Sequence, residues 1–314
     1  MGGRLTMAKI KRLFNDPYDI VEEMVEGYVG AHKQYVKMCD LDEAQGRVVL
    51  ANDAGTKDKV GVIIGGGSGH EPLFIGYVGE DFADAVVIGN INTSPSPDPS
   101  YAAAKACDNG KGCIYLYGNY AGDVMNFDMG AEKADEEDDI RVETVLVTDD
   151  VVSSENIPDR RGIAGDFFVF KVAGAKAATG ADLDEVVAAA QKANDNTRSM
   201  GVAMSSATLP AKGGTIFDME DGDMEIGMGI HGEPGIRRGK IDTADNVIDE
   251  IMEPILKDLP YVEGDEVYVL VNSLGATPLI DLHVCYRRVA QILEEKGIKV
   301  YKALVGPFAC SMDM

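Results

Sequence analysis

At 314 residues and 45% hydrophobic content the chain is long enough to bury one large or two ordinary cores, which excludes a disordered protein. Asp and Glu number 53 against 29 Lys and Arg, and the formal charge of -24 repels nucleic-acid phosphates and anionic membranes, excluding both as partners. Five cysteines with no CxxC spacing read as reduced thiols, no apolar stretch reaches membrane length, and the N-terminus has no signal-type apolar core, so a cytoplasmic enzyme or binding protein is expected. The acid excess is also what adaptation to high salt produces.

Residues 1–9 read as a ragged leader, with Met7 an alternative start. Asn15-Asp16-Pro17 then opens a helix expected over 18–38, with Ile20, Val21, Met24, Val25, Tyr28 and Val29 on one face. A short strand is expected at 48–50 and a buried one at 60–64, where Val60-Gly61-Val62-Ile63-Ile64 runs into Gly65-Gly66-Gly67-Ser68-Gly69-His70-Glu71-Pro72. Glycine has no Cβ, so this turn can adopt positive φ and admit a ligand close to the backbone, with Ser68 and His70 as polar groups.

A second apolar run, Ala85 to Gly89, ends in Asn90-Ile91-Asn92-Thr93-Ser94-Pro95-Ser96-Pro97, whose hydroxyls either cap the next helix (98–107) or face a ligand. A third strand, 113–117, ends in Gly118-Asn119-Tyr120-Ala121-Gly122-Asp123. Asp123 opens a helix to about 133, as an N-cap or as a functional carboxylate, and three strands ending alike in polar glycine loops favour the second. The run Asp135 to Asp139 reads as a solvated surface, 142–147 as a covered strand, and 149–162 as a long polar loop containing Arg160-Arg161-Gly162. Helices at 165–178 and 183–197 complete a doubly wound, mostly parallel α/β domain over 1–197.

A smaller α/β domain is expected over 198–314. Its strand at 200–206 precedes a hairpin of 215–219 and 224–228 around the acidic turn Glu220-Asp221-Gly222-Asp223, which delivers Gly229-Ile230-His231-Gly232-Glu233-Pro234-Gly235. A helix (243–259), a strand (266–271), the loop Asn272 to Pro278, a helix to about 295 and a strand (299–305) follow. Of four histidines, His70 and His231 stand in matching glycine frames, whereas His32 and His283 fall inside helical patterns and read as structural.

These motifs in this order, Asn15-Asp16-Pro17, Gly65 to Pro72, Asn119-Tyr120-Gly122-Asp123-Asn126-Phe127, Ser199 to Ala203, Gly229 to Gly235 and Asn272-Leu274-Gly275-Ala276-Thr277-Pro278, resemble the K subunits of dihydroxyacetone kinases, the Dak1 domain family, over essentially the whole chain. The resemblance implies that His231 adds to the ketone of a short hydroxyketone as a hemiaminal, so that polyols lacking a carbonyl are refused. It implies that Asp123 takes the proton of the terminal hydroxyl being phosphorylated, that His70 assists in acid/base work, and that Gly67, Ser68, Gly69 and Gly118 belong to the substrate wall. Gly118 departs from the lysine expected before Asn-Tyr, which either admits a larger ketose such as a tetrulose or marks an activity-poor, ketone-sensing coactivator homologue. The family's last strand after Met312 is also missing, as in a truncated or short variant.

No GxxxxGK[ST] loop is present. The resemblance places the phosphoryl donor elsewhere: no cofactor or metal on this chain, but ADP and Mg²⁺ on a separate L subunit recharged by a phosphoenolpyruvate-dependent phosphotransferase, with direct ATP use as the runner-up. It also implies a homodimer. A free-standing dinucleotide-binding protein fits poorly, because His70 and Pro72 interrupt the helix expected after Gly69.

Overall fold

The structure is a computed structural model that describes residues 12–314; the expected leader over 1–9 and the start at Met7 lie outside the described residues. The first elements in chain order are α1 (Ile20–His32), β1 (Val36–Met38), β2 (Val48–Ala51), β3 (Gly61–Ser68), β4 (Ala85–Ile91), α2 (Pro97–Cys107), β5 (Cys113–Gly118), α3 (Ala121–Asp138), β6 (Val142–Val147), α4 (Asp166–Ala178) and α5 (Leu183–Asp195). Then come β7 (Val202–Ala203), β8 (Thr208–Leu209), β9 (Gly214–Thr215), β10 (Asp223–Ile226), β11 (Arg237–Lys240), α6 (Ala244–Asp258), β12 (Glu266–Leu274), α7 (Leu279–Glu295) and β13 (Lys299–Cys310). They form two compact units, one of residues 12–148 and 165–197, the other of 149–164 and 198–314.

The first unit is built on a six-stranded sheet of order β1-β2-β4-β3-β5-β6. The four central and outer strands β4, β3, β5 and β6 are parallel, whereas β2 joins β4 and β1 joins β2 antiparallel. Val62, Ile63, Ile64, Val86, Val87, Ile114, Tyr115 and Leu116 are all fully buried, as strands covered on both faces require. On one face Phe127 of α3 meets the rings of Tyr115 and Tyr117 at 5.2 and 4.4 Å; on the other Phe170 of α4 approaches Phe74 at 6.1 Å. Alternation along β3 serves both faces, since a Cβ on Gly65 would strike Phe127 and one on Gly66 would strike Phe74.

One expectation in this unit is corrected. The helix read over 18–38 stops at His32, and Val36–Met38 pairs with β2, because buried Val36 beside exposed Lys37 and Met38 suits a sheet edge better than a helix face. The acidic run 135–139 is exposed along its whole length, as expected for a solvated surface; it closes α3, and Asp138 accepts hydrogen bonds from Tyr101 Oη at 2.5 Å and Lys105 Nζ at 3.1 Å, which hold its carboxyl below the usual range.

In the second unit β12 and β13 run parallel, and α6 and α7 cover them through Ile248, Ile251, Met252, Val289, Ile292 and Leu293. A three-stranded antiparallel sheet, β11-β10-β7, stands in the same unit. The expected hairpin of 215–219 with 224–228 does not form: β9 pairs with β8, and β10 pairs with β7 and with β11, which the sequence reading missed. Arg237-Arg238-Gly239-Lys240 is charged, as edge strands tend to be, and it holds its place through ion pairs of Arg238 with Glu225 and Lys240 with Asp223.

Residues 149–164 come from the middle of the chain yet pack within this second unit, and a buried charge cluster fastens them. Arg160 donates to both carboxylate oxygens of Asp258 at 2.6 and 2.8 Å, and Arg198 donates to the same carboxylate. Both guanidinium side chains are only 4% exposed. The hydrogen bond from Arg160 depresses the Asp258 carboxyl most, and with that from Arg198 it outweighs burial and brings the pKa from 3.8 to about 2. Removing the carboxylate takes from two buried cations the anion they share, so Asp258→Ala is expected to cost about 3–5 kcal/mol in urea unfolding. Because the folded pKa lies below the unfolded one, the contribution is complete above about pH 4 and disappears as pH falls through about 2.

Candidate functional site

The parallel strands of the first unit set where polar groups can gather. The chain leaves β3 towards β4 on one side and leaves β5 towards β6 on the other, so the carboxyl ends of β3 and β5 flank a switch point, where open α/β sheets bind ligands. The expected residues fall at this edge: Gly67 and Ser68 end β3, Gly69 and His70 follow it, Gly118 ends β5, and Asp123 lies in the first turn of α3. Ser68, His70 and Asp123 are 5%, 2% and 8% exposed. Tyr120, not Asp123, is the N-cap of α3, so the capping reading of Asp123 falls.

Glycine is required at this edge because the turn over residues 90–95 nests against it. A Cβ on Gly67 would come within 2.8 Å of the Thr93 nitrogen, and one on Gly89 within 2.0 Å of the Thr93 carbonyl oxygen. The turn is fastened by Ser68 Oγ, which donates to the Gly89 carbonyl at 2.7 Å, and by Asn126 Nδ2, which donates to the Pro95 carbonyl at 2.8 Å. Ser96 stands at the N-cap of α2 without a side-chain capping bond. The Gly69 N–H donates to the Glu71 carboxylate at 3.0 and 3.2 Å, and burial pushes that carboxyl up despite this bond.

His231 belongs to the second unit, in the loop between β10 and β11. Its Nδ1 lies 3.2 Å from Glu233 Oε1, and its backbone N–H donates to Glu233 Oε2 at 3.0 Å. Arg161 Nη1 stands 4.0 Å from the same Oε2, while the Arg161 guanidinium donates to Asp150 at 2.8 and 3.1 Å and to the Gly227 carbonyl at 3.3 Å. Burial raises the Glu233 carboxyl, but the hydrogen bond from His231, the backbone contact and the Arg161 charge prevail and it sits below the usual range. Asp150 is fully buried, and burial pushes its carboxyl up against the pull of Arg161. Glycines fit this loop to itself: a Cβ on Gly229 would overlap the Glu233 carboxylate, and one on Gly235 would lie 2.1 Å from the Ile226 carbonyl oxygen.

Glu233 and Arg161 stand inside sequence motifs that assign neither of them a role. The two-residue spacing of His231 and Glu233 was a usable signal; the Arg161 contact, 66 residues from Gly227, was not. Among the described residues no group of three His, Cys, Asp or Glu side chains could hold a metal ion, and no helix is long and apolar enough to cross a membrane. The five cysteines are free thiols, and burial raises those of Cys39, Cys107, Cys113 and Cys285.

The first unit carries a buried histidine and a buried carboxylate at a switch-point edge, and the second a carboxylate-held histidine in a glycine loop; together they make a two-unit α/β protein. The chain belongs to the Dak1 domain family, whose pattern spans residues 26–314. It is 59% identical to the dihydroxyacetone-binding subunit DhaK of the PTS-dependent dihydroxyacetone kinase 2 of Listeria innocua, over 97% of this chain and 91% of that one. It is 42% identical to the L-erythrulose 1-kinase of Mycolicibacterium smegmatis, over 96% of this chain and 53% of that one. The crystal structure of the dihydroxyacetone kinase of C. freundii superposes with a TM-score of 0.86 at 32% identity, covering 97% of this chain and 55% of that one.

If close backbone approach at Gly67 is what seats the turn, Gly67→Ala should push Thr93 away from β3. A loss of about 1–3 kcal/mol in urea unfolding is the expected outcome.

Proposed function

We propose that the chain is the substrate-binding K subunit of a phosphoenolpyruvate-dependent dihydroxyacetone kinase. What carries this reading is His231, an imidazole whose Nδ1 is engaged by a carboxylate inside a glycine loop, in a chain so similar to a dihydroxyacetone-binding subunit. The ketone of dihydroxyacetone adds to His231 as a hemiaminal, which discriminates it from glycerol, a polyol with no electrophilic carbon. Asp123 accepts the proton of the terminal hydroxyl as that oxygen attacks phosphorus, and His70, buried at the same strand edge, assists the proton transfer. Gly67, Ser68, Gly69 and Gly118 form the wall around the substrate. The phosphoryl group comes from an L-type subunit that carries ADP and Mg²⁺, and the greater identity to the DhaK subunit than to the erythrulose kinase supports dihydroxyacetone over a tetrulose.

Phosphoryl transfer is measured with the L subunit, the phosphoenolpyruvate-driven carrier proteins and, in parallel, ATP alone. Turnover only with the carrier proteins is expected; turnover with ATP alone would replace the donor assignment, and binding without turnover under either would leave a sensor. Asp123→Asn is expected to lower kcat by about 10²–10⁴ with little change in KM, as loss of a positioned base does. His231→Ala is expected to lower kcat/KM for dihydroxyacetone and to erase its preference over glycerol.

In the same reading the chain works as a homodimer. Ile280 and Tyr301, 74% and 69% exposed, are apolar surface that such an interface would cover, and light scattering at twice the 33.6 kDa chain mass is the expected result.

A further inference from the structure

The contact between His231 and Glu233 has a direction that chemistry fixes. Glu233 Oε2 already accepts the backbone N–H of His231 at 3.0 Å, and Oε1 lies 3.2 Å from the ring Nδ1. An ionised carboxylate only accepts hydrogen bonds, so both of its oxygens are met by donors of one residue. The Nδ1 position therefore carries hydrogen, and the lone pair of the neutral ring is on Nε2. The carboxylate is itself located: Arg161 stands 4.0 Å from Oε2, is anchored to buried Asp150 at 2.8 and 3.1 Å, and the missing Cβ of Gly229 leaves the carboxylate its place.

We infer that Glu233 is a positioning residue for the covalent step, holding His231 with hydrogen on Nδ1 so that Nε2 is the atom that attacks the ketone. This rests on the adduct reading proposed above. In the step, the Nε2 lone pair forms the C–N bond to the keto carbon and the carbonyl π pair moves onto its oxygen. That oxygen takes one proton from an acid in solution, hydronium or protonated buffer. The ring, substituted at Nε2 and still bearing hydrogen at Nδ1, becomes a cation directly beside the Glu233 carboxylate, which stabilises it where no negative charge is otherwise needed. Arg161 and Asp150 act one contact further out, by keeping the carboxylate in place.

The two-donor arrangement supplies a discriminating variant. Gln has nearly the shape of Glu but only one acceptor oxygen, so Glu233→Gln can serve one of the two donors. The backbone N–H cannot change its character and the ring can. The amide oxygen therefore goes to the backbone, the amide NH₂ faces Nδ1, and the ring moves its hydrogen to Nε2, the atom that must attack. A purely structural role for Glu233 predicts no such exchange.

The test uses the full chain with ¹⁵N-labelled histidine, of which there are four, His231→Ala serving to assign the signal. Without ligand, neutral His231 is expected in the Nδ1–H form in the native protein and in the Nε2–H form in Glu233→Gln. On adding dihydroxyacetone labelled with ¹³C at the keto carbon, the native protein is expected to show a tetrahedral carbon bonded to His231. Glu233→Gln should lose adduct affinity by at least about 100-fold, since a carboxylate-to-amide change that sets the wrong tautomer costs up to about 10⁴ in the corresponding pair of serine proteases. Native His231 in the Nε2–H form, or Glu233→Gln retaining both the Nδ1–H form and the adduct, overturns the inference. If Glu233→Gln fails to fold by thermal melting, the native tautomer decides alone. A native protein with the Nδ1–H form and no tetrahedral carbon sinks the adduct reading while the positioning of the ring stands.

Discussion

One carboxylate, that of Glu233, accepts from the backbone and the ring of the same histidine, and much of the second unit's local architecture follows from seating it. It occupies the space a side chain at position 229 would fill, and Arg161 approaches from a segment that packs beside the loop. Arg161 in turn is held by a carboxylate with no exposure at all. A buried acid with a guanidinium, and that guanidinium near a second acid, is a chain of alternating charge in which each member justifies the burial of the next. The rest of the loop, from Gly227 to Gly235, is short of side chains because backbone must pass close to backbone around this point.

The first unit meets a different constraint. Parallel strands buried on both faces leave only their ends for polar chemistry, so Ser68, His70 and Asp123 cluster by topology rather than by local motif. Here too the glycines have a steric reason. The turn over 90–95 lies against the β3 edge so closely that Gly67 and Gly89 admit no side chain, and Ser68 spends its proton on joining β3 to β4.

What the sequence made legible tracks how strongly each residue's surroundings are dictated locally. The runs at 60–64, 85–89 and 113–117 announce buried parallel strands because nothing but a covered sheet accommodates them, and the fold class follows from their alternation with helices. Membership of the Dak1 family was legible too, through ordered motifs spanning nearly all of the chain. The edge strand Arg237–Lys240 was not, since its charges are satisfied by partners such as Glu250 and Glu225 that only the folded chain brings near. The hairpin expected around Glu220 to Asp223 failed for a related reason: an acidic turn marks a reversal without saying which strand pairs with which. Of the site, the histidines and Asp123 stood out by their glycine surroundings, whereas the Arg161 contacts depend on a segment that sequence order assigns to the first half.

That segment, residues 149–164, gives the chain an unusual order of assembly. Arg160 leaves the ribosome 98 residues ahead of Asp258, the acid it is buried against. At roughly 5–20 residues per second of synthesis this is an interval of about 5–20 seconds, during which the acid that this cation will be buried against has yet to be made. The first unit has its last residue, Thr197, long before the second is closed, so nascent chains pass through a stage in which one half is finished and a loop from its middle still awaits the C-terminal third. A fragment beginning at residue 198 would lack that loop, and the two halves of this protein are therefore not separable by a single cut.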